Sequence, residues 1–230
     1  MTGHQLAQYR KQKKRTQAQA ARDLGVSQTY LSLFESGKRA VTERISKKAV
    51  KAFGLPPTAM PAKLTDSSVR PVSDDQLAAD LAALGYKGFS HLKPSRGKNP
   101  ADVLLSALNS SKRDARLVEA LPWVVLAFSD MPWTELVRTA KAYDLQNRLG
   151  YVTSIARRVA ESSGDERFAA KLKQRESELH RSLLAREETL CNELMTSAER
   201  KWLEVNRPDE AKHWHLLTNL SPDHLEYYAR

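Results

Sequence analysis

Two short amphipathic helices joined by a tight turn are predicted near the N-terminus. Apolar residues recur at helical spacing in residues 17–24 and again in residues 28–36, with polar positions between them. Thr16 and Ser27 stand just before these segments, where short oxygen side chains cap the first turn of a helix. Gly25 follows the first segment, and glycine ends a helix at no steric cost because it adopts the left-handed conformation. The spacing therefore predicts a helix, a tight turn and a second helix.

A linker is predicted to divide the chain into two domains. The N-terminal domain, residues 1–61, closes with a helix over residues 42–53 that has an apolar stripe and is followed by a glycine. Residues 62–75 are mostly polar, contain proline and show no periodicity, which is typical of a linker. Residues 76–230 then form a second, larger domain, and two domains fit the length of the chain.

The second domain is predicted to be helical throughout. Its most apolar segment, residues 113–129, is predicted as the central helix, in which Pro122 could introduce a kink. Residues 134–160 are predicted to add apolar side chains to the same core. Residues 165–195 carry apolar side chains at spacings of 4 and 7, an 11-residue repeat that predicts one nearly straight helix of about 30 residues. That helix is either the outer wall of a bundle or a dimer seam, and we favour the wall. Because no segment alternates like a strand, the predicted fold class is all-α.

The positive charge is concentrated in the N-terminal domain. Residues 1–61 contain 12 Lys or Arg against 3 Asp or Glu, whereas the rest of the chain has 25 against 24. Such a segment is typical of a polyanion-binding surface, and nucleic-acid phosphates fit because Lys and Arg release condensed counterions on binding. One alternative is a solvated basic surface. Another, for the cluster in residues 10–15, is a stabilising interaction with the dipole of a helix C-terminus.

The predicted helix pair also has a characteristic set of residue types. The pattern is Thr16-Gln17-x-x-x-Ala21-x-x-Leu24-Gly25-Val26-Ser27-x-x-x-Leu31-Ser32-x-x-Glu35-x-Gly37-Lys38-Arg39. With it, residues 3–61 resemble the helix-turn-helix domain of the phage-repressor-like transcription regulators, a bacterial group that includes the lambdoid repressors. The resemblance implies a five-helix DNA-binding domain in which the second helix of the pair lies in the major groove.

The resemblance assigns roles to individual residues. It implies base contacts by the residues of the groove helix, Gln28, Thr29, Ser32 and Leu33. Leu33 departs from the polar residues often found at its position, and it either contacts a thymine methyl group or packs on a sugar. It implies a contact to a DNA phosphate by Gln17. From their charge and position we expect further phosphate contacts by Lys11, Lys13, Lys14, Arg15, Lys38 and Arg39. It also implies a structural ion pair between the first helix and the groove helix, formed by Arg10 and Glu35.

A second, shorter resemblance falls in the predicted second domain. Residues 114–161, which include Asp144-Leu-Gln-Asn-Arg148, are similar to a region of bacterial regulators associated with nucleotidyltransferase-like toxins. The similarity implies an antitoxin-like or repressor-like role in which residues 76–230 face a protein partner. The residues themselves also allow a plainer interpretation, because consecutive polar side chains on an amphipathic helix often cap and brace neighbouring segments.

Catalytic and metal-binding motifs are not found, so we expect no enzyme, no cofactor and no metal. Cys191 is the only cysteine, which excludes an intramolecular disulfide and a CxxC motif. His213 and His215 are two residues apart, unlike the i, i+4 pair of a helical zinc site. There is no P-loop, dinucleotide-binding glycine loop or nucleophile elbow. The N-terminus lacks an export signal and no apolar run spans a membrane, so we expect the bacterial cytoplasm.

These features predict a DNA-binding transcriptional regulator, specifically a repressor. It would bind an inverted-repeat operator in double-stranded DNA as a homodimer. One alternative is an antitoxin that neutralises a partner enzyme by contact through residues 76–230 and regulates its own gene through the DNA-binding domain. A second alternative is an enzyme with an unfamiliar active site in the helical domain, which the missing motifs disfavour.

Overall fold

The computed structural model describes residues 1–64 and 69–225. Residues 65–68, in the predicted linker, and residues 226–230, at the end of the predicted second domain, lie outside the described residues. The chain divides into two compact units. Unit 1 comprises Met1–Ala62 with Gly97–Asn99, and unit 2 comprises Lys63–Arg96 with Pro100–Arg230. The fold is mainly helical, which confirms the all-α prediction.

Unit 1 is built from short helices around one apolar core. In chain order these are α1 (Gly3–Gln12), α2 (Gln17–Leu24), α3 (Gln28–Glu35) and α4 (Glu43–Phe53). Each begins with a hydroxyl side chain that caps its first turn, from Thr2, Thr16, Ser27 and Thr42 respectively. The core contains Leu6, Ala20, Ala21, Leu24, Leu31, Phe34, Ile45, Ala49 and Phe53.

In the place of the fifth helix that the resemblance implies, unit 1 has a single 3-10 turn, Pro57–Ala59. A segment from later in the chain completes this end of the unit. Asn99 is buried, and its Nδ2 donates to the backbone carbonyls of Thr58 at 3.3 Å and Met60 at 2.7 Å. These hydrogen bonds explain why residues 97–99 belong to unit 1 although they are remote in sequence.

The described residues of unit 2 form the remaining helices and one pair of short strands. Its helices are α5 (Asp74–Leu84), α6 (Pro100–Leu108), α7 (Ala115–Glu119), α8 (Leu121–Ala127), α9 (Trp133–Ala142), α10 (Gln146–Ser162), α11 (Glu166–His180), α12 (Ser197–Asn206) and α13 (Asp209–His213). Single 3-10 turns lie at Lys87–Phe89 and Pro222–His224. The strands β1 (Glu188–Thr189) and β2 (Leu216–Leu217) pair in parallel, with Glu188 opposite Leu216 and Thr189 opposite Leu217.

The central helix of unit 2 is α10, whose residues 146–156 are all buried. It packs against α8, α9, α11 and α13. The prediction of a central helix over residues 113–129 is wrong, because that segment forms two short helices, α7 and α8, with Pro122 in the first turn of α8. The core residues expected from residues 134–160 lie on two helices, α9 and α10. Asp144 adopts a left-handed conformation (φ 57°) between α9 and α10.

The prediction of one helix over residues 165–195 is wrong beyond its first half. α11 ends at His180, and the chain turns before it enters β1. Asn147 of α10 holds this turn, since its Nδ2 donates to the Leu184 carbonyl at 3.0 Å and its Oδ1 accepts from the Leu184 N–H at 2.9 Å. The side chain thus satisfies backbone groups that a continuing helix would have paired internally. Contacts remote in sequence therefore override the apolar repeat.

The leucines of α11 face the interior of unit 2. Leu172 and Leu179 are fully buried, which makes α11 a wall of the bundle and not a dimer seam. Leu190, beyond β1, is also buried, but Leu194 is 71% exposed. Leu194, the last residue of the apolar repeat, is therefore not part of the core.

From Lys63 onwards the described residues of the predicted linker are bonded to unit 2, whereas Ala62 belongs to unit 1. The N–H groups of Lys63 and Leu64 donate to the carboxylate of Asp102 at 3.0 and 2.9 Å. Val69 is fully buried, and its carbonyl accepts from Asn109 Nδ2 at 2.9 Å. These contacts make the described part of the segment from Lys63 onwards a component of unit 2.

Candidate nucleic-acid interface

The turn between α2 and α3 is held by local contacts. Gly25 ends α2 in the left-handed conformation (φ 65°), where a side chain would be strained. The N–H of Val26 donates back to the Ala21 carbonyl at 2.9 Å. Ser27 then caps α3, because its Oγ accepts from the N–H of Tyr30 at 3.1 Å. The direction in which α3 leaves the turn is thereby set within a few residues.

The apolar face of α3 anchors the helix to unit 1. Leu31 and Phe34 are fully buried, and Tyr30 packs edge-on against Phe34 with ring centroids 4.7 Å apart. Gly3 of α1 approaches α3 so closely that a Cβ there would come within 1.8 Å of the Phe34 carbonyl oxygen. Glycine is therefore required at position 3, since any side chain would push α1 away from α3.

The opposite face of α3 is polar. Gln28, Thr29 and Ser32 are exposed, and Leu33 is half-buried. Gln28 and Thr29 lie in the first turn, the part of a groove helix that meets base edges. Within the described part of the chain, the side chains of Gln28, Thr29 and Ser32 form no hydrogen bond. Their donors and acceptors are consequently available to a ligand.

A largely buried ion pair ties α1 to α3. Arg10 Nε and Nη2 donate to the two carboxylate oxygens of Glu35 at 2.6 and 2.9 Å, and the two side chains are only 11% and 8% exposed. Gln17 Nε2, at the start of α2, donates to the same carboxylate at 2.9 Å. One carboxylate therefore joins three helices and fixes the angle of α3 relative to α1.

The contact also stabilises the charged forms of the pair. Burial acts to raise the pKa of Glu35, but the hydrogen bonds from Arg10 and Gln17, together with nearby positive charge, outweigh it and lower that pKa. The pKa of Arg10 is raised, chiefly by its hydrogen bond to Glu35. Both groups are therefore charged at neutral pH.

Lysines with exposed side chains follow α1 and α3. Lys11, Lys13 and Lys14 lie at the end of α1 and in the turn after it, and Lys38 lies beyond the end of α3. Lys14 adopts a left-handed conformation (φ 52°) where the chain reverses towards α2. These ammonium groups are free to meet phosphate oxygens.

The other residues expected at phosphates already have contacts within unit 1. The Arg39 guanidinium lies 4.5 Å from the centroid of the Tyr30 ring. Arg15 Nη1 lies 3.9 Å from a carboxylate oxygen of Asp23 at the surface. Gln17 is engaged by Glu35, as described above. The residues expected at phosphates thus fall into two groups. The lysines are exposed, whereas Arg15, Gln17 and Arg39 also make contacts within unit 1.

One contact beneath this surface could not be found from the sequence. Lys48 Nζ of α4 donates to the Leu24 carbonyl at 2.9 Å, which satisfies a backbone group at the C-terminus of α2. The two residues are 24 positions apart, and no local pattern signals their contact. Lys48 therefore stabilises the first helix of the pair.

Other chemistry is sparse in the described part of the chain. It places no group of three or more His, Cys, Asp or Glu side chains where they could hold a metal ion. Cys191 is buried, and burial raises the pKa of its thiol to about 11. A thiol with so high a pKa is protonated and unreactive at neutral pH.

Residues 6–59 match the family model of the helix-turn-helix domain. No curated protein and no solved structure matches the chain. Of the helices in the described ranges, none combines the length and the apolar character that crossing a bilayer requires. Members of the helix-turn-helix family are typically not enzymes. The domain match and the open polar face of α3 support a DNA-binding transcription regulator.

Proposed function

We propose that the protein is a transcriptional repressor that binds an inverted-repeat operator as a homodimer. Each α3 enters a major groove, and the two groove helices lie about 34 Å apart along the duplex. The observation that carries this proposal is the first turn of α3, where Gln28 and Thr29 are exposed and make no side-chain hydrogen bond within the described chain.

The residues of α3 fit distinct base edges. The Gln28 amide donates and accepts at once, which suits N6 and N7 of adenine. Thr29 and Ser32 each offer one hydroxyl that donates or accepts. Leu33 is half-buried and presents only part of its side chain, which suits contact with a thymine methyl group.

The basic residues set the position of the domain on the duplex. Lys11, Lys13, Lys14 and Lys38 contact phosphates directly in this proposal. Arg39 contacts phosphate while it stacks on Tyr30, because a guanidinium has five N–H donors. Arg15 and Gln17 likewise keep N–H donors beyond their contacts in unit 1.

The base-reading role of Gln28 is tested with Gln28→Ala after the preferred sequence has been selected from random duplexes. Gln8→Ala is the matched control, because Gln8 is an exposed glutamine on α1. We expect Gln28→Ala to cost about 1–3 kcal/mol at the selected site and little on random DNA. Competition gels measure both. Equal losses on the two sequences, or the same loss for Gln8→Ala, would show that Gln28 reads no base.

The antitoxin function ranks second. It depends on the similarity of residues 114–161 to regulators associated with toxins. Gln146, Asn147 and Arg148 of that segment are buried, and their side chains bind carbonyls at residues 182, 184, 108 and 110 of the same chain. These hydrogen bonds explain the three residues as braces of neighbouring segments, so no protein partner is needed to account for them. Co-purification of the full chain with the product of a neighbouring toxin gene would favour the antitoxin.

A further inference from the structure

The exposed large apolar side chains of the described residues gather in one segment of unit 2. They are Leu194 at 71%, Trp202 at 55% and Val205 at 75% exposure. Unit 1 has no such side chain among its described residues, since its large apolar residues are buried or partly buried. A cluster that includes an exposed tryptophan is typical of a surface that is covered in the functional assembly.

Trp202 and Val205 belong to α12, which has two apolar sides. Leu203 is the buried residue of this helix and attaches it to unit 2. Ala198, Trp202 and Val205 have the i, i+4, i+7 spacing of a second stripe, and all three are exposed. Helical spacing places this stripe away from Leu203. We call Ala198, Trp202 and Val205 the α12 stripe.

Opposite charges border the α12 stripe. Glu199 and Lys201 are exposed, and the helical period places them on opposite sides of Trp202. A partner surface of a single sign would set one of these side chains against a like charge. A second copy of the same helix avoids this conflict when the two helices run parallel about a two-fold axis. The acidic border of each copy then faces the basic border of the other.

We propose that the α12 stripe is the homodimer seam, occupied by the α12 stripe of a second copy of this chain. A two-fold interface is isologous, so one self-complementary patch is sufficient to form it. Trp202 lies at its centre, where aromatic anchors contribute most to binding. This inference rests on the proposed repressor function, because binding an inverted repeat requires a homodimer and the α12 stripe would form its interface.

The seam is tested by sedimentation equilibrium of the full chain without DNA. The test variant carries Trp202→Gln with Val205→Gln, which removes the apolar side chains without a change of charge. The control carries Lys173→Gln with Glu204→Gln, two exposed positions outside the stripe whose replacement also leaves the net charge unchanged. We expect a dimer for the wild type and the control, and a dimer Kd raised at least about 30-fold for the test variant.

Several outcomes would overturn the proposal. They are a wild-type monomer at tens of micromolar, a test variant that dimerises normally, and a control that dissociates as readily as the test variant. Circular dichroism establishes that the variants are folded. If the test variant unfolds, Val205→Gln alone replaces it, because Val205 belongs to the stripe and is 75% exposed.

The parallel arrangement is tested by a charge exchange. Lys201→Glu and Glu199→Lys each place like charges against one another in a homodimer, so each alone should dimerise more weakly than the wild type. An equal mixture should dimerise more tightly than either variant, because both borders are complementary in the mixed dimer. Glu199→Lys also removes the capping contact to Thr196, so helix content is checked. A mixture no tighter than its components would overturn the arrangement.

Failure of the seam and failure of the proposed repressor function are distinguishable. Sedimentation without DNA reports only on the seam, and its result does not depend on any operator. DNA competition on the same samples reports on α3. A chain that reads DNA specifically but sediments as a monomer would refute the seam and retain the DNA-reading helix.

Discussion

α3 of unit 1 and α10 of unit 2 both begin with polar side chains, and these side chains are used in opposite ways. Gln28 and Thr29 of α3 are exposed and unbonded within the described chain. Gln146 and Asn147 of α10 are buried and bonded to backbone groups of residues 182–184. Polar side chains in the first turn of a helix are available to a ligand when the neighbouring backbone groups already have hydrogen-bond partners. They are structural when a neighbouring turn has backbone groups that need them as partners.

Each unit also contains a buried arginine held by carboxylates. Arg10 donates two hydrogen bonds to Glu35, and these outweigh burial and lower the pKa of the carboxyl group. Arg148 Nε lies 3.3 Å from Oε2 of Glu188, whose Oε1 has no hydrogen-bond partner among the described residues. Burial consequently dominates there and raises the pKa of Glu188. The Arg10 pair orients an exposed helix, whereas Arg148 holds loops against the central helix.

The largest expected effect tests the structural tie beneath α3. Glu35→Ala should destabilise unit 1 by about 3–5 kcal/mol, because it leaves the largely buried Arg10 charge without its carboxylate partner and with only the Arg15 carbonyl as an acceptor. Hydrogen exchange of the α1–α3 amides in the full chain measures the loss. All four tryptophans lie in unit 2, so tryptophan fluorescence should stay unchanged and show that the effect is confined to unit 1.

Asp23→Ala is the control for Glu35→Ala. The Asp23 contact with Arg15 is long at 3.9 Å, and the two side chains are 33% and 47% exposed. Its loss should cost less than about 1 kcal/mol. Equal exchange rates in the two variants would show that the buried carboxylate does not fix α3.

The sequence is a good guide to unit 1 because the features that shape it are local. Thr16, Gly25 and Ser27 act within four residues of their positions, so the helix boundaries follow from residue type and spacing. The ion pair between Arg10 and Glu35 is not local and was expected only from the resemblance. Lys48 gives no comparable signal, since its bond to the Leu24 carbonyl is known only once the helices are packed.

Unit 2 is harder to predict because its helix ends depend on remote side chains. The apolar repeat in residues 165–195 continues past His180, yet the turn at residues 182–184 is bonded to α10. The 113–129 segment is apolar enough for a central helix but is divided near Pro122. α10 was not expected at the centre, because burial of Arg148 and its neighbours requires backbone partners that spacing does not reveal.

An intermediate effect is expected for Asn147→Ala in unit 2. The substitution removes both bonds to Leu184 and leaves buried backbone groups without these partners, which should destabilise unit 2 by about 2–3 kcal/mol. Urea unfolding followed by tryptophan fluorescence measures it. Gln28→Ala should change this stability by less than about 0.5 kcal/mol. An unchanged midpoint for Asn147→Ala would break the contrast between the two helices.

The smallest expected effect concerns the lysines around α3. Lys38 is exposed, so Lys38→Gln should leave the stability of unit 1 unaltered and remove about one phosphate contact. The slope of log affinity against log salt should then fall in magnitude by about 0.9, equally on selected and random DNA. Lys173→Gln, on α11 of unit 2, is the matched control and should leave the slope unchanged. A loss restricted to the selected sequence would instead make Lys38 a base reader, and the division between lysines that position the domain and α3 residues that read bases would be wrong.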